Sequence, residues 1–173
     1  METGINKNPQ IFSKKDLKGS DKTRYTNELE SDIEDAIDEI EIFDLVRNIT
    51  DPEHPLALEQ LNVLTLEDCK INHNNRTVEV GYTPTVPNCS SGALIGLMIL
   101  AKLQRTINKT YKIKVFINPG THDQEKIINK QLCDKERVFA AFENVNIMRT
   151  INEKLRDSNE EIDINHLNNL IGN

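Results

Sequence analysis

The chain has 173 residues, room for one domain of the usual roughly 100 to 200 residues with a remainder for tails. Hydrophobic residues make up 37% and charged residues 28%, with 5% aromatic and no Trp, which predicts a globular core beside segments too polar to join it. The 21 Lys plus Arg stand against 28 Asp plus Glu, a net charge of −7, and this excludes general binding to nucleic-acid backbones because nothing drives counterion release across the surface.

Residues 1–27 carry Lys7, Lys14, Lys15, Lys18, Lys22 and Arg24 against Glu2, Asp16 and Asp21, with little hydrophobic periodicity, and this predicts a flexible arm. Acidic residues and the lack of an apolar stretch there predict neither a secretory signal nor a transit peptide, hence an intracellular protein. From 28 to 44 the charge reverses, with Glu28, Glu30, Asp32, Glu34, Asp35, Asp38, Glu39, Glu41 and Asp44 and no basic residue. Such a run is either the solvated face of a helix or a docking surface for a basic partner. Ile33, Ala36, Ile37, Ile40, Phe43 and Val46 recur at helical spacing, predicting an amphipathic helix that Ser31 and Glu34 cap and that ends near Asn48, before Pro52 and Pro55.

Val63, Leu64, Leu66 and Ile71 within 61–71, and Val78 and Val80 within 77–82, predict a β-hairpin across the polar His73-Asn74-Asn75. Residues 90–107 are apolar almost all round and predict a helix buried against the sheet. Their longest apolar run, 93–101, is far shorter than the roughly 20 residues of a membrane span, so no membrane crossing is expected. Ile113, Val115 and Ile117 predict a third strand, Asn118-Pro119-Gly120 a turn, and Thr121 with Gln124 a cap for one helix from about 122 to 143. A last helix, 147–156, carries Ile147, Ile151 and Leu155 in one row. The sum is a small two-layer α+β domain with a three-stranded mixed sheet in the order α-β-β-α-β-α-α, spanning 31–157 between an arm (1–30) and a polar tail (158–173).

More than twenty residues of helical crossover join the second and third strands, which suits parallel pairing and puts both C-terminal strand ends on one sheet edge. The loop leaving the second strand ends at Cys89 and the loop leaving the third at His122, each just before a helix. A thiol at a helix N-terminus gains thiolate character from unpaired N–H groups and the macrodipole. Cys89 is therefore a candidate reactive thiol, the bland alternative being a small core residue. His122 either joins it or hydrogen-bonds its own loop. Asp51, Glu53 and His54 border the same edge, either completing a site or bracing it. Cys69 and Cys133 read as ordinary buried thiols, and the odd cysteine count without a CxxC pair predicts reduced thiols. HExxH, P-loop, GxGxxG and GxSxG motifs are absent, which leaves a thiol-dependent Cys-His hydrolase or transferase as the enzyme alternative.

The chain from about Ile40 to Arg156 resembles the MIP-18-like family of cytosolic iron-sulfur assembly components. The resemblance rests on Glu41-Ile42-Phe43-Asp44-Leu45-Val46-Arg47, Asp51-Pro52-Glu53-His54-Pro55-Leu56, Thr83-Pro84-Thr85-Val86-Pro87-Asn88-Cys89-Ser90, Leu94-Ile95-Gly96-Leu97, Pro119-Gly120-Thr121-His122, and Asn129-Lys130-Gln131-Leu132 continuing to Asp134-Lys135-Glu136-Arg137-Val138. The Asp51 to Leu56 motif and Asn8-Pro9-Gln10-Ile11-Phe12 resemble the B-type members. The resemblance implies a small α+β fold and a non-enzymatic adaptor that acts with a WD40-propeller protein and a HEAT-repeat adaptor. That assembly hands iron-sulfur clusters to cytosolic and nuclear apo client proteins and has a link to chromosome segregation. It places the family's reactive cysteine on Cys89 and its Gly-Thr-His on Gly120, Thr121 and His122. A transient iron-sulfur cluster or zinc ion at Cys89 and His122 would need further ligands from a homodimer or a partner.

Overall fold

Asp38 and Glu41 exchange hydrogen bonds, Glu41 N–H to Asp38 Oδ1 at 2.8 Å and Asp38 N–H to Glu41 Oε2 at 3.1 Å, and this reciprocal cap starts α1 (Glu39–Arg47). The computed structural model describes residues 9–15 and 37–156. The proposed cap at Ser31 and the helical spacing from Ile33 to Ala36 lie outside them. Within them the helix begins later than the spacing suggested, because Asp38 is extended (φ −111°, ψ 175°) and caps a new start. Ile42, Phe43 and Val46 turn into the core, each contributing about 1.5–3 kcal/mol by burial.

The expected first strand over 61–71 shortens to β1 (Cys69–Asn72). Asn62 takes a left-handed conformation (φ 53°), and Asp68 Oδ2 accepts from Thr65 N–H at 2.9 Å and Thr65 Oγ1 at 2.7 Å, folding residues Leu66–Asp68 into a 3-10 turn. Val63 and Leu64 are buried all the same, as loop residues. The hairpin forms as expected: β1 pairs antiparallel with β2 (Thr77–Tyr82), Cys69 opposite Val80 and Ile71 opposite Val78.

After β2 the chain crosses over through α2 (Gly92–Thr106) to β3 (Lys112–Ile117), which pairs parallel to β2 with Val80 opposite Val115 and Tyr82 opposite Ile117. The mixed sheet has the order β1-β2-β3. One face carries Cys69, Val78, Val80, Val115 and Ile117, all buried. Ile95, Met98, Ile99 and Leu103 of α2 are likewise closed off from solvent, and α1 packs beside α2 over β1. This is the small α+β domain expected, layered helix on sheet.

The single helix expected over 122–143 is two: α3 (Glu125–Cys133) and α4 (Lys135–Glu143). Asp134 is extended, and its Oδ1 accepts from Glu136 N–H at 3.1 Å and Arg137 N–H at 3.3 Å, so a capping preference interrupts a periodicity that runs on across it. Asn144 repeats the device for α5 (Val145–Arg156), accepting from Asn146 N–H at 3.0 Å and Ile147 N–H at 3.2 Å. Ile151 and Leu155 of α5 are buried, and the helix lies on α2 and α4.

Residues 9–15, inside the expected flexible arm, lie against the domain. Phe12 N–H donates to Gln60 O at 2.7 Å, Lys15 N–H to Glu59 Oε1 at 2.8 Å, and Arg47 Nη2 to Lys15 O at 2.7 Å. Glu59 in turn holds Arg47, whose Nε donates to Oε2 at 2.7 Å and whose Nη2 donates to Oε1 at 3.0 Å; the two residues are 6% and 8% exposed. A polar clamp, not an apolar stripe, fastens this stretch, which is why hydrophobic periodicity does not reveal it.

Candidate functional site

Parallel pairing of β2 and β3 brings the loops after Tyr82 and Ile117 to one sheet edge, and Asn118 locks them. Asn118 N–H donates to Tyr82 O at 2.9 Å, and its Nδ2 donates to Thr83 Oγ1 at 3.1 Å and Asp68 Oδ1 at 2.8 Å. That side chain lies where a Cβ on residue 81 would stand, so Gly81 is required for close approach. Gly120 makes its turn at φ +77°, a conformation other residues adopt at a cost.

His122 is 8% exposed and sits against the first loop. Its Nδ1 accepts from Gln124 N–H at 3.0 Å, which places the ring proton on Nε2, and Nε2 donates to Cys89 O at 3.0 Å. The expected Thr121–Gln124 cap does not form. Thr121 Oγ1 donates to Asn118 O at 2.7 Å instead, and the Nδ1 of His122 takes the amide that Thr121 was to receive. Gly92 lets the ring approach, since a Cβ there would meet Nε2 at 3.3 Å.

A third loop closes over Cys89. Asp51, 4% exposed, accepts from Glu53 N–H at 2.8 Å and His54 N–H at 2.9 Å through one oxygen, folding the Asp-Pro-Glu-His turn. The turn presents Glu53, whose Oε1 accepts from Ser91 Oγ at 2.7 Å and Ser90 Oγ at 3.2 Å and lies 3.8 Å from Cys89 Sγ. Burial raises the Asp51 carboxyl above its ordinary value, against the two amides that lower it. His54 Nε2 is buried with no hydrogen-bond partner among the described residues.

The structure thus gathers Cys89, His122, Glu53 and Asp51, with Gly120 and Thr121 shaping the loop that carries His122. It overturns the expected thiolate. Cys89 is 6% exposed, and burial pushes its thiol up to about 11; the Ser91 backbone amide lowers it, but the Glu53 and Asp51 carboxylates add to the rise. A helix terminus favours thiolate, but a covering loop that brings two carboxylates outweighs it. Cys69 is pushed further, to about 12, again chiefly by burial, whereas Cys133 is exposed, contrary to its reading as a buried thiol. Reaction with iodoacetamide follows the thiolate fraction. Exposure lets the reagent reach Cys133, so at pH 7 Cys133 is expected to label before the buried Cys89, and Cys89 to accelerate as pH rises toward about 11. Peptide mapping after timed alkylation reads this directly, and Cys89 labelling first at pH 7 would contradict the buried-thiol geometry.

The expected Cys89–His122 pairing as metal ligands does not fit this arrangement. Both ring nitrogens of His122 are engaged with backbone groups, and among the described residues no group of three or more His, Cys, Asp or Glu is placed to hold a metal ion. Nor is the imidazole set to take the Cys89 proton, since it holds that residue's carbonyl rather than its sulfur. Ser90 and Ser91, which anchor Glu53, escape a reading of sequence alone; two adjacent hydroxyls before a helix signal a cap, and here Ser91 forms no side-chain cap bond.

No protein-family model matches the chain. Among curated proteins it is similar to MIP18 family protein F45G2.10 of Caenorhabditis elegans, 48% identical over 87% of this chain and 94% of that protein. It is similar to cytosolic iron-sulfur assembly component 2B of Dictyostelium discoideum, 50% identical over 79% and 83% of the two chains, and to that of Mus musculus, 44% identical over 87% and 90%. Identities of this size, sustained over most of both partners, go beyond a shared fold: the chain belongs to the MIP18 family.

Proposed function

We propose that this protein is a non-enzymatic component of the cytosolic iron-sulfur assembly machinery, a targeting factor that helps deliver clusters to cytosolic and nuclear apo client proteins. The observation that carries the reading is its similarity, over most of both chains, to proteins named cytosolic iron-sulfur assembly component 2B. In this reading the protein works in the cytoplasm and also serves clients that act in the nucleus, which links it to chromosome segregation, and it binds a WD40-propeller protein and a HEAT-repeat adaptor. Cys89 is its functional thiol. Glu53 and the two serines hold the covering turn in place, so engagement of a client or its cluster requires that turn to lift. Because His122 fixes the Cys89 backbone, the sulfur moves into reach without the loop losing its anchor. The geometry favours this over a thiol-dependent enzyme, whose base would have to face the sulfur.

The test is radio-iron incorporation into a cytosolic client in cells depleted of the native protein and supplied with this chain, with copurification of the propeller protein from the same cells. Restored incorporation with copurification is expected. Normal client loading in the depleted cells, or product release from a thiol-directed suicide substrate by the purified chain, would overturn the reading.

A further inference from the structure

The turn that covers Cys89 is a preformed unit. Asp51 N–H donates to Leu56 O at 2.9 Å, Leu58 N–H donates to Ile49 O at 2.9 Å, and Thr50 pairs antiparallel with Ala57, so the ends of the turn are tied to each other beside the fully buried Ile49 and Leu58. Between these ends Pro52 and Pro55 have fixed φ, and the one Asp51 oxygen that takes the Glu53 and His54 amides holds the rest. Such a piece moves as a whole.

Residues 52–55 reach the loop beneath them through one side chain. Glu53 Oε1 receives the Ser91 and Ser90 hydroxyls and meets Cys89 Sγ, and among the described residues 52–55 make no other hydrogen bond outside the turn itself. The next residue works against this fastening. His54 Nε2 is closed off from solvent and has no hydrogen-bond partner among the described residues. Whether that nitrogen carries the ring proton or the lone pair, it has given up water for nothing in exchange. His54 rides on the turn, so lifting returns the nitrogen to water while Glu53 loses both hydroxyls.

We propose that residues 51–56 form a lid over Cys89 governed by two opposed neighbours: Glu53, fastened to Ser90 and Ser91, latches it shut, and the stranded imidazole nitrogen of His54 keeps the shut state only narrowly preferred, so that His54 sets how often Cys89 is uncovered. Raising the lid takes the Glu53 carboxylate away from the sulfur as well as uncovering it, so access and thiolate character rise together. As regulation the inference rests on the proposed role of Cys89; as geometry it does not, and the two are tested apart.

Timed alkylation of the full chain with iodoacetamide at about pH 8, close to the ordinary thiol value of about 8.5, reads the lid without any client. His54→Phe keeps a flat ring and removes the stranded nitrogen, and is expected to slow Cys89 labelling about tenfold. Ser91→Ala removes the shorter latch bond from a residue that forms no side-chain cap, and is expected to speed labelling about tenfold. Exposed Cys133 and buried Cys69 serve as internal controls, and both are expected to keep their parent rates. Cys89 labelling that is unchanged in either variant, or faster in His54→Phe, would overturn the proposal. So would Cys69 accelerating alongside Cys89 in Ser91→Ala, because the whole domain rather than the turn would then be opening. Full client loading by Cys89→Ala would instead sink the role of the thiol without altering these rates, so the two failures are distinguishable.

Discussion

Cys89→Ala is expected to abolish client loading in the complementation assay while shifting the melting temperature by only a few degrees. The two effects separate because the loop does not depend on sulfur. Cys89 is positioned by its backbone: its N–H donates to Val86 O at 3.2 Å, and its carbonyl accepts from Gly92 N–H at 3.4 Å and from His122 Nε2 at 3.0 Å. The Sγ atom contributes a long contact to Glu53, which keeps both serines, and a contact with the Ser91 backbone amide. Removing it costs about 1 kcal/mol, equivalent to roughly 2–4 °C in a chain of this size. His122→Ala is the contrasting variant. It takes the shorter of two hydrogen bonds from Cys89 O and the side-chain acceptor from Gln124 N–H, so it is expected to loosen the loop, lower stability further, and reduce client loading without eliminating it. Circular dichroism and a propeller pull-down on each variant keep folding apart from function; full rescue by Cys89→Ala would sink the assignment of the functional thiol.

The largest stability effect is expected away from the site. Glu59→Ala should lower unfolding stability by about 3–5 kcal/mol, the cost of leaving one member of a buried ion pair without the other. Arg47 would keep Asp44 Oδ1 at 3.1 Å and its place 5.1 Å from the Phe43 ring, neither of which replaces a two-pronged carboxylate. The same substitution removes the acceptor for Lys15 N–H, so the Lys15 amide should lose its hydrogen-exchange protection in step. Urea titration measures the first effect. The double variant Arg47→Met/Glu59→Leu is expected to recover much of the loss, because it removes both charges rather than stranding one. A change below about 1 kcal/mol for Glu59→Ala would mean that water reaches the pair.

The sequence carries the sheet plainly. Val78 and Val80, then Ile113, Val115 and Ile117, alternate cleanly, and the apolar helix between them is long enough for a crossover, so parallel pairing and the convergence of two loops follow from pattern alone. Where capping overrides periodicity, pattern fails: Asp134 interrupts a helix whose apolar spacing continues, and Asp38 starts one that its spacing places earlier. The chemistry of Cys89 is legible in position but not in sign. Its place before a helix is visible in the sequence, whereas the carboxylate over it is that of Glu53, on a turn that Asp51 folds, and its partner Ser91 lies 38 residues further along the chain. The role of His122 is hidden for a similar reason, since which of its nitrogens meets which backbone group is decided by how two loops pack.

Parallel pairing also has a kinetic consequence. The β1–β2 hairpin closes over a few residues, but joining β3 to β2 means closing a connection of roughly 30 residues, at about 3 kcal/mol of chain entropy before any contact repays it. That step is placed late among the routes available, after α2 has formed and begun to dock. His122 lies on the loop after β3, so it cannot anchor Cys89 until the β2–β3 pair closes. During refolding or synthesis the Cys89 sulfur therefore passes through a window in which it titrates as an ordinary exposed thiol, and the reducing state of the surroundings bears on the newly made chain more than on the finished fold.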